Sequence, residues 1–193
     1  MANIDAPFGL RPVGNIGGGQ HMTNQFLIVD NEATSIFQGD IVEPDENNAG
    51  YIAVQEATTN EDNLGVFNGV FITKDPTSGK PTFSNYYSQT NVATGEEIRA
   101  FVYDDPFMKF EIQGDSATAA AQTDINKVAD SVATHSGSTA NGRSKLELDV
   151  SDFQTTDGQL KAVAFSSDPE NNEMATHCNY VVIFNEHQYK KEL

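Results

Sequence analysis

The chain has 193 residues, a formal net charge of −17 and 38% hydrophobic residues. A chain of this length can form a single domain around one core. Nucleic-acid phosphates would repel so acidic a surface, and the only adjacent basic pair is Lys190 and Lys191, so we expect no nucleic-acid partner. No run of about 18 apolar residues is present, which predicts no membrane partner.

The first segment, residues 1–24, contains Pro7, Pro12 and three consecutive glycines. Proline restricts φ and glycine adds backbone freedom, so this composition opposes both helix and regular strand. We predict an extended N-terminal interaction arm at 1–24, followed by a single mainly β domain at 25–193. The apolar side chains predicted to anchor the arm on a neighbouring chain are Ile4, Phe8, Leu10 and Val13.

From Gln25 onward, short runs rich in Phe, Ile, Val and Tyr alternate with clusters of Gly, Asn, Asp and Pro. This rhythm is typical of an all-β domain. The predicted strands span 25–30, 39–43, 51–56, 64–73, 97–103, 107–113, 144–149, 159–166 and 180–186. Between the fifth and sixth of these strands, the turn-forming residues Asp104, Asp105 and Pro106 predict a hairpin.

One segment departs from the strand rhythm. Its apolar residues recur at the spacing of one helix face, namely Ala121, Ile125, Val128 and Val132. Because Ser116 can cap a helix at this point, we predict a helix over about 117–134, packed on a sheet. The predicted fold is therefore mainly β, a β sandwich or barrel with one packed helix and an extended N-terminal arm.

Residues 45–56 match part of an EF-hand calcium loop, with Asp45 at the first position and Glu56 at the twelfth. Ala49 occupies the fifth position, where a side-chain oxygen belongs. A turn joining the two flanking predicted strands explains the same residues. The sequence favours the turn and leaves calcium binding open.

No other pattern indicates chemistry. The four histidines lack metal-site spacing, so no metal site is predicted: His21, His135, His177 and His187. No complete nucleophile or phosphate-binding motif is present, so we predict no catalytic residues, no cofactor and no enzymatic activity. The single cysteine, Cys178, excludes an intrachain disulfide and is predicted to be a small buried residue. With no signal-peptide pattern, we predict synthesis in a reducing cytoplasm.

Several motifs resemble those of structural proteins of tailed bacteriophages. They are APFGLRPVG at 6–14, VYDDPFMKFEIQGD at 102–115, GSTANGRSKLELD at 137–149 and VVIFNEHQ at 181–188, and they span most of the chain. QGDIVEP at 38–44 and NLGVFNGVF at 63–71 are similar to patterns of phage head-decoration domains.

The resemblance implies a non-enzymatic capsid cement or decoration protein that binds the outer surface of the major capsid protein lattice and stabilises the head. The implied partners are the major capsid protein and further copies of the chain, in a homo-oligomer of the trimeric kind. The arm residues would then bind the capsid, on the exterior of a virion formed in a bacterial host. The alternatives left open are another virion component, such as a tail, adaptor or major capsid protein, and a carboxylate-dependent glycan hydrolase.

Overall fold

A computed structural model of the chain describes residues 2–55, 63–89, 95–132 and 136–190. The protein is mainly β, with several packed antiparallel sheets, which confirms the predicted fold class. In the described ranges, no helix has the length and apolar character needed to cross a lipid bilayer. The strands are β1 (Arg11–Asn15), β2 (Asn24–Ile28), β3 (Ile36–Phe37), β4 (Ile41–Pro44), β5 (Ile52–Val54), β6 (Gly65–Ile72), β7 (Thr82–Ser84), β8 (Tyr86–Tyr87), β9 (Ile98–Tyr103), β10 (Met108–Gln113), β11 (Val128–Ala129), β12 (Gly137–Ser138), β13 (Arg143–Ser144), β14 (Leu160–Phe165) and β15 (Asn179–Phe184). The 3-10 helices are Gln122–Asp124, Val150–Asp152 and Gln188–Lys190.

The larger sheet has the strand order β2-β9-β6-β4-β5, with β7 paired to β6. A single parallel bridge between Leu27 and Tyr51 brings its two end strands together, so the sheet curls into a barrel-like arrangement. Alternation along β9 explains which side chains lie inside: Ile98, Ala100 and Val102 are all buried. They join an apolar cluster contributed by the other strands of the same sheet.

The second sheet has the order β1-β10-β15-β14-β11. Its core contains Phe110 and Phe184, whose ring centroids lie 5.7 Å apart in an edge-on arrangement. Ile41 and Val66 from the larger sheet belong to the same apolar cluster, so the cores of the two sheets adjoin. Residues 104–107 connect β9 in the larger sheet to β10 in the second sheet.

The predicted hairpin between β9 and β10 is wrong. β9 pairs with β2 and β6, whereas β10 pairs with β1 and β15 in the other sheet. The turn itself forms, because the Asp105 carbonyl accepts from the Met108 N–H at 3.1 Å and the Asp105 Oδ1 accepts from the Phe107 N–H at 2.9 Å. Turn residues determine only where the chain changes direction. The side chains of β10 are buried on both faces of the strand, and this burial determines the sheet in which β10 lies.

The predicted helix over 117–134 does not form in the described part of that segment, which contains a short 3-10 helix and β11. Asn126 has a φ of 72°, which interrupts a right-handed helix. Its N–H donates to the Ala162 carbonyl at 2.9 Å, and the Lys127 carbonyl accepts from the Ala162 N–H at 3.0 Å. These bonds to β14 outweigh the helix propensity of the alanines in this segment, which its Thr, Asp and Asn residues already oppose.

The predicted strand at 144–149 is reduced to Arg143–Ser144, paired with Gly137–Ser138. Farther along, Leu148 makes isolated bridges to Gly114 and Ser131. The other eight of the nine predicted strands each overlap an observed strand, with shifted ends.

Residues Arg11–Asn15 form β1, where the sequence predicts no regular strand. β1 lies at the edge of its sheet. An edge strand tolerates Pro12 because the proline nitrogen carries no hydrogen to donate to a neighbouring strand. The pairing register with β10 shifts between Pro12 and Gly14, as in a β-bulge. The N-terminal segment is therefore partly built into the domain that follows it.

Candidate functional site

The four apolar residues predicted to bind a neighbouring chain fall into different environments. Leu10 is 2% exposed and belongs to the core of its own chain, so it offers almost no surface to another chain. Phe8 is half-buried, with the Arg11 guanidinium 4.8 Å above its ring centroid. Ile4 and Val13 are exposed and available for contact. Apolar character alone does not reveal which chain buries a residue.

The start of the N-terminal segment is held by side-chain amides. Asn3 Nδ2 donates to the carbonyls of Glu173 and Thr176, each at 2.9 Å. The Ile4 N–H donates to Asn171 Oδ1 at 2.8 Å, and the Ile4 carbonyl accepts from Gln113 Nε2 at 2.9 Å. Residues 3 and 4 therefore have a defined path along the loop that precedes β15.

Residues 16–23 of the same segment lie outside the strands and are mostly exposed. Ile16 and Met22 are 56% and 71% exposed, large fractions for apolar side chains. Together with Ile4 and Val13, they make up four of the nine large apolar side chains found exposed in the described ranges. Four such residues within one segment make the segment a candidate interaction surface.

A second apolar surface lies on the outer face of the larger sheet. The rings of Phe71 and Phe83 have centroids 4.6 Å apart, and those of Phe83 and Phe101 lie 6.2 Å apart. These residues stand on β6, β7 and β9, and Phe83 is 73% exposed. We name this group the outer aromatic patch. Its geometry suits contact with another apolar surface.

A small cavity of about 190 Å³ lies between β1 and the larger sheet. Its lining includes Phe8, Phe67 and Tyr103 together with the cationic side chains Arg11 and Arg143. Arg11 also forms an ion pair with Glu111, whose negative charge offsets part of the positive charge of the guanidinium group. The volume is below the roughly 300–1,000 Å³ typical of sites for small organic ligands.

The segment compared above with a calcium loop forms a hairpin turn between β4 and β5. Asp45 Oδ1 accepts from the N–H groups of Asn47 and Asn48, at 2.8 and 3.0 Å, and Asp45 Oδ2 accepts from Asn48 Nδ2 at 2.8 Å. Both carboxylate oxygens of Asp45 therefore accept hydrogen bonds within the turn. Glu56 lies outside the described residues. The flanking elements are strands, where an EF-hand has helices.

Three potential metal ligands meet on the side of the molecule that holds the N-terminal segment. Asp5, Glu147 and His177 each offer a ligand atom, and these atoms all lie within 4.8 Å of one another. The sequence did not predict this cluster, because its members are far apart along the chain and no motif links them. Of the other histidines, His21 is exposed and His187 is buried elsewhere, so neither belongs to the cluster. His135 lies outside the described residues.

Cys178, next to His177, is buried and forms no disulfide. Burial raises the pKa of the Cys178 thiol to about 11, with the nearby charge of Asp124 acting in the same direction. The thiol is therefore protonated at neutral pH and is a poor nucleophile. This agrees with the prediction of a small buried residue at this position.

No protein-family model matches the chain, and no curated protein sequence or solved structure matches it either.

Proposed function

We propose that the protein is a non-enzymatic cement or decoration protein of a tailed-bacteriophage head, which binds the outer surface of the major capsid protein lattice. The observation that carries the proposal is the concentration of exposed apolar side chains along the N-terminal segment, between Ile4 and Met22. This arrangement would let the segment contact a neighbouring subunit while the rest of the chain provides a packed β scaffold.

Two further features support the proposal. The outer aromatic patch gives the scaffold a second apolar surface, so one chain could contact more than one neighbour. The net charge of −17 discourages random association of a protein made in many copies. The motifs that resemble phage structural proteins, described above, point to the same class. We further propose that the chain acts as a homo-oligomer of the trimeric kind.

The test is to locate and count the chain in purified phage particles. For a cement protein we expect hundreds of copies on the head surface, found by quantitative mass spectrometry and by particle reconstruction. Particles lacking the chain should lose their DNA at a lower temperature than complete particles. A few copies at the neck or tail would identify another virion component instead, and absence from particles would overturn the proposal.

Surface variants test the role of the N-terminal segment. Replacing Ile16 and Met22 together by Ser should weaken binding to undecorated shells and leave the thermal midpoint nearly unchanged, because both side chains are exposed. The matched control is Met174→Ser, which removes a comparably exposed apolar side chain from another part of the surface. Equal shell binding by both variants would show that residues 16–23 are not the contact.

A further inference from the structure

We propose that Asp5, Glu147 and His177 form a binding site for a divalent transition-metal ion of the zinc class. The site would join three parts of the chain: the N-terminal segment, the segment after β13 and the loop before β15. It does not depend on the proposed role of the protein in a phage head.

The distances suit a small ion. The three ligand atoms form a triangle whose sides are no longer than 4.8 Å, so an ion at its centre would lie close to all three atoms. For an equilateral triangle of that side the centre lies about 2.8 Å from each atom, compared with about 2.0–2.2 Å in zinc sites. Rotation of the Asp5 side chain, which is 66% exposed, can bring its carboxylate nearer to an ion held by Glu147 and His177.

The imidazole is the second observation that points to a ligand. His177 Nδ1 is a buried atom with no hydrogen-bond partner in the described ranges. Asp5 Oδ1 lies 3.9 Å from this nitrogen, which is too long for a hydrogen bond. A buried polar atom without a hydrogen bond is costly, and a metal ion between the imidazole and the carboxylate would satisfy it.

The backbone around the three ligands is fixed by hydrogen bonds. The Glu147 carbonyl accepts from the Val132 N–H at 2.9 Å, and Gln113 Nε2 donates to the His177 carbonyl at 3.4 Å. On the N-terminal side, Ala6 directly follows Asp5, and the Ala6 N–H donates to Gln113 Oε1 at 2.9 Å. The ligands are therefore presented by anchored backbone, which lowers the entropy lost when an ion binds.

The local charge favours a cation. The carboxylates of Asp5 and Asp115 lie close enough to Glu147 to repel its negative charge. A bound divalent cation would compensate this crowding of negative charge. Because imidazole nitrogen prefers zinc, cobalt and related ions to calcium or magnesium, the donor set selects the transition-metal class.

The experiment is a calorimetric titration of the full chain, freed of metal by a chelator, with zinc chloride and separately with magnesium chloride. We expect one zinc ion per chain and no comparable magnesium binding. Asp5→Asn, Glu147→Gln and His177→Asn should each weaken zinc binding by more than about tenfold. Asn suits position 177 because it tolerates the positive φ of 59° found there. His21→Asn, which removes an exposed histidine, is the matched control and should bind zinc like the original chain.

Cobalt provides a readout that needs no variant. A cobalt ion bound through imidazole and carboxylates should give visible absorption bands that disappear when zinc is added. Absence of zinc binding, equal binding of magnesium, or unchanged zinc affinity in both Glu147→Gln and His177→Asn would overturn the proposal. Loss of binding in His21→Asn alone would place the ion elsewhere on the surface and would also overturn it.

Discussion

His187 is a histidine held in its neutral form by burial. Its ring lies between those of Phe184 and Tyr189, with centroid distances of 5.3 and 5.2 Å. Burial lowers the pKa of His187 to about 4, and the charge of Lys190 adds to this, while Asp104 opposes it. His187 Nδ1 accepts from the Tyr189 N–H at 3.1 Å, a bond that protonation of this nitrogen would break.

This environment predicts a loss of stability in mild acid. The unfolded chain binds a proton at His187 below about pH 6.5, whereas the folded chain does so only near pH 4. Stability is therefore fully present above pH 6.5 and falls as the pH drops from 6.5 to 4, by roughly 3 kcal/mol at most. Urea unfolding at pH 7.5 and pH 5 measures the change, with His187→Gln as the comparison. The variant should show a smaller difference between the two pH values, and an equal difference would contradict the prediction.

At the scale of the elements, runs rich in β-forming residues between turn clusters predicted most strands. In β9 the side chains also alternate, and Ile98, Ala100 and Val102 are all buried on one face. Alternation carries no information about the neighbouring strand. The pairing of β9 and β10 was therefore predicted wrongly, although the position of each strand was predicted closely.

The same limit applies to the candidate sites. The apolar character of Ile4 and Leu10 is visible in the sequence, but only the fold reveals that one is exposed and the other buried. The cluster of Asp5, Glu147 and His177 depends on contacts between distant segments, which residue spacing cannot show. Local patterns thus predict elements well and predict sites poorly when those sites are assembled by tertiary contacts.

Gly65 stands at the junction of the start of β6 with the end of β9, where there is no room for a side chain. A Cβ atom there would lie 2.3 Å from the Tyr103 carbonyl oxygen and 3.0 Å from the Asp104 Cα. Because both atoms belong to backbone, Gly65→Ala should force β6 and β9 apart and destabilise the protein by at least about 1–3 kcal/mol. Gly17→Ala is the matched control, since nothing lies within 4 Å of its added Cβ. Similar thermal midpoints for the two variants would show that the junction is not tightly packed.

At the scale of the whole molecule, the N-terminal segment has two parts with different roles. Residues 2–15 are held by the amide network and by β1, whereas residues 16–23 are mostly exposed. Arg11 Nε also donates to Glu111 Oε2 at 3.1 Å, and Glu111 is buried in the second sheet. The first part therefore belongs to the packed structure, although Ile4 and Val13 on it are exposed, and the second part lies mostly outside that structure.

This division predicts opposite results from two truncations. Deleting residues 2–15 removes Leu10 from the core and leaves the buried carboxylate of Glu111 without its guanidinium partner. Loss of Leu10 by itself should cost about 2–5 kcal/mol, as found for large-to-small changes in cores, and an unpaired buried charge adds to that cost. Replacing 16–23 by a flexible Gly-Ser sequence of equal length should leave the thermal midpoint nearly unchanged. Calorimetric melting of both variants, with Leu10→Ala alongside, distinguishes the two parts. A deletion of 2–15 that melts like the full chain would show that the whole segment is a detachable arm.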